Sequence, residues 1–300
     1  MTWQFTITGL VIGALVGLTG MGGGSLMTPL LILLFGFKPT LAVGTDILHG
    51  AVFKSFGAVR HRRLGTVHGH LALWMFLGSG PMSLLGVQLA NYLEDQYGDG
   101  LNNALAQVIG FALVVGAAGL VLRTFIHIGA RPDDAPFILS RRDKIIAVAL
   151  GASGGFVVGL TSVGSGTFFG LIMILVFPLT AAKIVGTDIW HAAALLWVAG
   201  ISYLIHGNVD LHAMFWLLLG SIPGVLLTSR MTLHIPERTL RLALATTLAV
   251  SGVKLLDLPQ TNVLMIVTLV AGLVTLGVVE RNRLRARVAR SDLTPAPQDR

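Results

Sequence analysis

Four ionisable residues stand inside strongly apolar sequence. Asp46 and His49 belong to Val43-Gly44-Thr45-Asp46-Ile47-Leu48-His49-Gly50-Ala51, and Asp188 and His191 belong to Val185-Gly186-Thr187-Asp188-Ile189-Trp190-His191-Ala192-Ala193. The i,i+3 spacing sets carboxyl and imidazole on one face of a helix. Ionisable groups are expensive in hydrocarbon and tend to be kept for function. Three uses fit this pattern. As protonation sites, the aspartates would couple substrate movement to a proton gradient, because burial favours the neutral carboxyl and imidazole titrates near neutrality. Two Asp and two His also have donor types that suit a divalent metal. In a purely structural role, each Asp would cap the preceding glycine-rich break or accept a hydrogen bond from its own His.

Those breaks are the second candidate for chemistry: Gly20-Met21-Gly22-Gly23-Gly24-Ser25 and Ser162-Val163-Gly164-Ser165-Gly166. Backbone outside a helix cannot face lipid, where each unpaired N–H or C=O costs several kcal/mol. It must be buried or line a wet cavity. A helix that starts just after such a break offers free N–H groups and the positive end of its dipole, which suits an oxyanion. The expected cradle is Thr19, Gly22, Gly23, Gly24 and Ser25 in one copy. In the other it is Thr161, Gly164, Ser165, Gly166 and Thr167. Close packing through small residues is the competing explanation.

The elements that position these residues follow from duplication. The two nine-residue segments lie 142 positions apart, and the same offset pairs Gly17-Leu18-Thr19 with Gly159-Leu160-Thr161, His70 with His212, Trp74 with Trp216 and Pro81 with Pro223. This is an internal repeat. Of the 300 residues, 54% are hydrophobic and only 12% are charged, against about 25% charged in a soluble domain. Mean hydropathy is +0.79. The class is therefore an all-α integral membrane protein. Each half opens with two short apolar pieces around its break, 5–20 with 25–36 and 145–162 with 166–177. Longer segments follow at 40–59, 69–91 and 102–126, then at 181–205, 211–230, 238–256 and 261–279.

If each opening pair is a hairpin that returns to its starting side, each half crosses an odd number of times and the second half is inverted. Charge agrees with this topology. With the N-terminus outside, three loops and the tail fall in the cytoplasm, carrying Arg60, Arg62 and Arg63; Arg123, Arg131, Arg141, Arg142 and Lys144; Arg230, Arg238 and Arg241; and Arg281 to Arg290. The acidic stretch Glu94-Asp95 to Asp99 falls outside. The expected organisation is repeat 1 over 1–127, a linker over 128–143, repeat 2 with one extra helix over 144–280, and a basic disordered tail over 281–300. Each Asp stands about six residues into its segment, about 9 Å deep at 1.5 Å per residue. In a core of about 30 Å, inversion would leave an axial gap of about 12 Å between them, which suits a relay or two half-sites better than one shared site.

The net charge of +7 comes largely from these arginines, so nucleic acid is not an expected partner. Met1-Thr2-Trp3-Gln4-Phe5 lacks the basic n-region of a cleaved leader. The absence of cysteine removes thiolate metal sites and disulfides. No Gly-x-Ser-x-Gly elbow, His-Glu-x-x-His helix or phosphate loop is present, so neither an enzyme nor a cofactor is expected. Lys54 has Leu196 as its repeat equivalent and lies close to Arg60, which predicts a side chain that snorkels to the interface. Lys183 reads the same way. His61 and His68 are expected in solvated loops, and His70 and His212 at segment starts.

Several stretches in order carry a resemblance: Gly20-Met21-Gly22-Gly23-Gly24 followed by Pro29, Ala42-Val43-Gly44-Thr45, Gly207-Asn208-Val209-Asp210, and Gly220-Ser221-Ile222-Pro223-Gly224. Over residues 5–280 the chain resembles the sulfite exporter TauE/SafE family of small bacterial anion permeases. The resemblance implies a multi-pass protein of the plasma membrane that carries small anions such as sulfite, sulfonates or sulfoacetate. Members commonly read Gly-Thr-Ser where this chain has Gly-Thr-Asp at 44–46 and 186–188, and the second glycine cluster is thinner here. Carboxylates beside an anion must be protonated or paired with a co-transported cation, so these departures favour proton or cation coupling, or a different substrate. Secondary transport around a site between the repeats is thus expected. A divalent-metal transporter and a membrane scaffold that transports nothing are the alternatives, and a homo-oligomer is compatible with either.

Overall fold

The computed structural model describes residues 2–19, 24–97, 99–125, 137–164, 166, 168–229 and 237–291, and the regular structure among them is all α-helical. The first half supplies α1 (Thr2–Thr19), α2 (Gly24–Phe35), α3 (Pro39–Arg63), α4 (Gly69–Tyr97) and α5 (Asp99–Phe125). The second half supplies α6 (Arg141–Thr161), α7 (Phe168–Val176), α8 (Ala181–Ile205), α9 (Leu211–Ser229) and α10 (Glu237–Leu256), and α11 (Thr261–Ser291) follows. The expected all-α membrane architecture is what the chain forms. Seven of these helices are long and apolar enough to cross a bilayer: α4, α5, α6, α8, α9, α10 and α11. α2 and α7, of 12 and 9 residues, rise only about 18 and 14 Å and fall well short of a core of about 30 Å. The first piece of the second opening pair differs from a short segment, because α6 is long enough to span.

Some boundaries differ from the sequence reading. α6 begins inside the expected linker because Ser140 and Asp143 form a capping box there, which satisfies two N–H groups at the helix start. Glu94 and Asp95 belong to the end of α4 rather than to a loop. α11 keeps its helical bonding through Ser291, past the expected start of the disordered tail at 281.

Helix pairing exchanges partners between the halves. α1 packs on α9, its repeat counterpart α6 packs on α4, and α3–α8 and α5–α10 join like to like. Glycine permits the two exchanged contacts. A Cβ on Gly13 would fall 2.2 Å from the Ser221 carbonyl oxygen, and one on the equivalent Gly155 would fall 2.5 Å from the Ser79 Cα. Backbones meet where no side chain intervenes, the usual way membrane helices gain van der Waals contact without a hydrophobic driving force. α3 and α8 form the centre, and on α3 every residue from Ala42 to Ala51 is buried. The repeated segment therefore lies at the joint between halves. Large apolar residues such as Phe111, Leu226 and Leu273 point outward, as lipid-facing positions should.

Candidate functional site

Three residues in each repeated segment bind the opposite half. Gly44 and Gly186 let a loop approach: a Cβ on Gly44 would meet the Asn208 carbonyl oxygen at 2.0 Å, and one on Gly186 would meet that of Thr66 at 2.5 Å. Asn208 and Thr66 are themselves repeat equivalents. The next residue fastens the same loop. Asp210 N–H donates to Thr45 Oγ1 at 2.9 Å, and His68 N–H donates to Thr187 Oγ1 at 2.9 Å. One turn later, His49 Nε2 lies 3.0 Å from Ser221 Oγ and His191 Nε2 lies 2.8 Å from Ser79 Oγ. Each imidazole thus pairs with a serine of the other half.

Asp46 does something else. It is 1% exposed, and its Oδ2 accepts from Thr28 Oγ1 at 2.6 Å, Thr28 N–H at 3.2 Å and Ser162 Oγ at 2.8 Å. Thr28 sits in α2, just after the first break. Ser162 is the C-cap of α6 at the second break and holds a left-handed conformation with φ of 62°. One carboxylate oxygen therefore ties the two breaks together, while Oδ1 has no hydrogen-bond partner among the described residues. Asp46, His49, Lys54 and Ser221 share a small cavity of about 20 Å³, room for about one water molecule, whose apolar wall includes Ile12, Val16, Met27 and Phe53.

The second half does not reproduce this setting. Gly170 replaces Thr28 and Leu196 replaces Lys54 at the equivalent positions. Phe169 replaces Met27, and its ring would lie 2.5 Å from a Cβ on Gly154, the counterpart of Ile12. The same ring packs edge-on against His191 with centroids 4.7 Å apart. Phe169, with no exposure, takes the place of Met27 in the wall of the first cavity, while His191 lines a separate and larger cavity of about 240 Å³ with Gly69, Phe76 and Trp190. Asp188 is buried, at 6% exposure.

The expected cradle is described only in part. Gly22, Gly23, Ser165 and Thr167 lie outside the described residues, and of Thr19, Gly24 and Ser25 only the helical backbone is described. Thr161 is buried with its hydroxyl engaged locally, donating to Val157 O at 2.7 Å and accepting from Val163 N–H at 3.2 Å. Gly164 and Gly166 both have φ of 114°, a conformation open to glycine and strained for other residues. Tyr203 Oη donates to Gly159 O at 2.9 Å, serving a carbonyl that the end of α6 would otherwise leave unpaired.

Lys54, Thr28 and Ser162 are the site residues that sequence reasoning missed. Lys54 does not snorkel. It is 5% exposed and within electrostatic reach of both Asp46 and Asp188. α3 runs on to Arg63, so Lys54 stands about 13 Å from the helix end, too deep for its side chain to reach water. His68 lies in the loop before α4, as expected, and is half-buried there: its Nε2 lies 2.9 Å from Phe137 O, and its Nδ1 accepts from Leu71 N–H at 3.2 Å. His61 bonds Thr66 Oγ1 at 2.9 Å. Among the described residues, no three His, Asp or Glu side chains come together in a way that could hold a metal ion.

Comparison with known proteins accords with this architecture. The chain is 38% identical over 256 residues to "Probable membrane transporter protein YjnA" of Bacillus subtilis (strain 168), covering 85% of this chain and 100% of that one. It is 26% identical over 246 residues to "Probable membrane transporter protein YdhB" of the same organism, covering 82% and 96%. No solved structure matches. The family model for Sulfite exporter TauE/SafE matches residues 5–255, a span that takes in nearly all of α1 to α10 and leaves α11 outside. A multi-pass membrane protein matched over that length, the chain belongs to the sulfite exporter TauE/SafE family of membrane transporters.

Proposed function

We propose that this transporter moves a small anion of the sulfite or sulfonate type by secondary transport, and that Asp46 takes up a proton in each cycle. The seating of Asp46 carries this reading: Thr28 beside the first break and Ser162 at the second both donate to one buried carboxylate oxygen. Hydrogen bonds to an ionised acceptor are about twice as strong as neutral ones. A charged Asp46 therefore fastens the breaks of the two halves, and a neutral Asp46 loosens them. Protonation also removes negative charge from the place an anion must enter, so both effects act in the same direction.

Gly164 and Gly166, with the backbone of the first break, form the cradle for the anion, in the manner of helix N-termini that bind oxyanions. His49 and His191 hold the α3–α8 centre against α9 and α4 while two inverted repeats rock about it. The membrane is the plasma membrane, with the N-terminus outside and the arginine-rich loops in the cytoplasm. Purified protein in liposomes tests this directly, with sulfite, alkyl sulfonates and Mn²⁺ offered with and without an inward proton gradient. Anion uptake that the gradient accelerates, and that Asp46→Asn makes indifferent to it, is the expected result. Uptake of Mn²⁺ alone would sink the reading.

A further inference from the structure

We infer that the groove between α4 and α8 binds an anionic phospholipid, with an acyl chain lying against Gly69, Phe76 and Trp190 and the phosphate at Arg62. The inference concerns the face of the molecule that meets the bilayer, and it holds whatever solute is carried.

The first observation is the groove itself. A cavity of about 240 Å³ is walled on α4 by Gly69, Ala72, Leu73 and Phe76 and on α8 by Trp190 and Ala194. It follows α4 for about 10 Å, from the helix start at Gly69 to Phe76. Leu73 and, one turn on, Leu77 are more than half exposed, so the groove opens sideways toward lipid. His191 is the one ionisable residue in its wall, and His191 Nε2 is already engaged by Ser79 Oγ at 2.8 Å. A dissolved polar solute would leave its own groups unpaired there, a cost that a hydrocarbon chain does not carry.

The second observation is charge at the mouth. Arg62, exposed near the end of α3, stands over the Trp190 ring at 4.8 Å. Stacking uses the face of the guanidinium and leaves its edge N–H groups for a phosphate, which they match in bidentate geometry. Cation and groove thus meet at one tryptophan. Lys144 stands over Trp74 of α4 at 5.4 Å, a second aromatic–cation pair at the level of the membrane interface. A basic mouth over an apolar groove between spanning helices is the arrangement that holds anionic lipid headgroups.

The repeat-equivalent position has neither feature. Leu211, Met214 and Val52 stand in for Gly69, Ala72 and Ala194, and Leu204 stands in for Arg62. The small residues and the cation are replaced together, as expected of the parts of one site.

Native mass spectrometry of the full-length protein in mild detergent, offered equal amounts of phosphatidylglycerol and phosphatidylcholine, tests the assignment. Wild type should retain a lipid, with phosphatidylglycerol favoured about fivefold, the effect of one arginine near an anionic headgroup. Arg62→Gln should level the two headgroups, Arg62→Lys should keep most of the preference, and Ala194→Phe should fill the groove and lose the lipid. Brominated acyl chains give a second readout that leaves the groove intact. They should quench wild-type tryptophan fluorescence more when carried by phosphatidylglycerol than by phosphatidylcholine, and equally in Arg62→Gln. Equal retention of both lipids by wild type, or a preference that survives Arg62→Gln, overturns the inference. So does full retention by Ala194→Phe. Release of the lipid by millimolar inorganic phosphate would make the groove a solute site, and the lipid assignment would fall.

Discussion

Asp46 and Asp188 occupy the same repeat position and keep different company. Asp46 accepts hydrogen bonds from both glycine breaks and faces a cavity that it shares with Lys54. Asp188 lies in a half where glycine replaces Thr28, leucine replaces Lys54 and Phe169 fills the corresponding space. The residues around them behave in the opposite way. Gly44 and Gly186, Thr45 and Thr187, and His49 and His191 make the same contacts twice, each with a residue of the other half. A joint built by exchange needs both copies, since losing one opens half of the interface. The seat of Asp46 is not needed for that joint, so the second half is free to vary there. Duplication here reports on assembly, and the departures from it report on chemistry.

The largest expected effect follows from that contrast. Asp46→Asn keeps an oxygen where Thr28 and Ser162 donate, so the fold should survive, but the group can no longer exchange a proton. Proton-driven uptake in liposomes should fall by about tenfold or more, given that charge-assisted bonds at a buried site are each worth about 1.5–3 kcal/mol. Asp188→Asn should cost only a few-fold. Equal losses in the two variants would break the contrast and return both carboxylates to one shared role.

Next in size are the joints, where the halves should behave alike. Gly44→Ala and Gly186→Ala each drive a methyl group into a backbone carbonyl, at 2.0 and 2.5 Å. A carbonyl of a neighbouring loop cannot rotate away as a side chain could. Overpacking of this kind costs about 1–3 kcal/mol, and the loop must lift off its helix. Both variants should lower the thermal midpoint and the yield of monodisperse protein, Gly44→Ala more than Gly186→Ala. Tolerance of alanine at only one of the two positions would show that the joints are not equivalent.

Much of this was legible in the chain, for identifiable reasons. Helix positions followed from apolar length, and the repeat offset matched α1 with α6 and α3 with α8 as equivalent elements. The burial of Asp46 and His49 also followed, because polar groups inside an apolar helix point inward. Lys54 was misread because its distance to Arg60 was counted as a distance to water, whereas α3 stays helical to Arg63. Thr28 and Ser162 could not have been found from spacing, because they reach Asp46 from α2 and from the end of α6 through tertiary packing. The serine partners of the histidines did carry a signal, since Ser79 and Ser221 stand at matching repeat positions.

Those serines provide the finest test of the contrast. Ser221→Ala and Ser79→Ala each remove one hydroxyl from one histidine, at 3.0 and 2.8 Å, and leave a buried imidazole nitrogen without its partner. The stability cost should be similar in both, about 1–2 kcal/mol, read as matching small drops in thermal midpoint. Transport should separate them. Ser221 and its partner His49 line the small cavity that Asp46 faces, so its loss disturbs the proposed protonation site and should slow proton-driven uptake a few-fold. Ser79 faces His191, away from Asp46, so its loss should leave that uptake where it was. If Ser79→Ala slows uptake as much as Ser221→Ala does, the two halves work alike, and the contrast between Asp46 and Asp188 has to be given up.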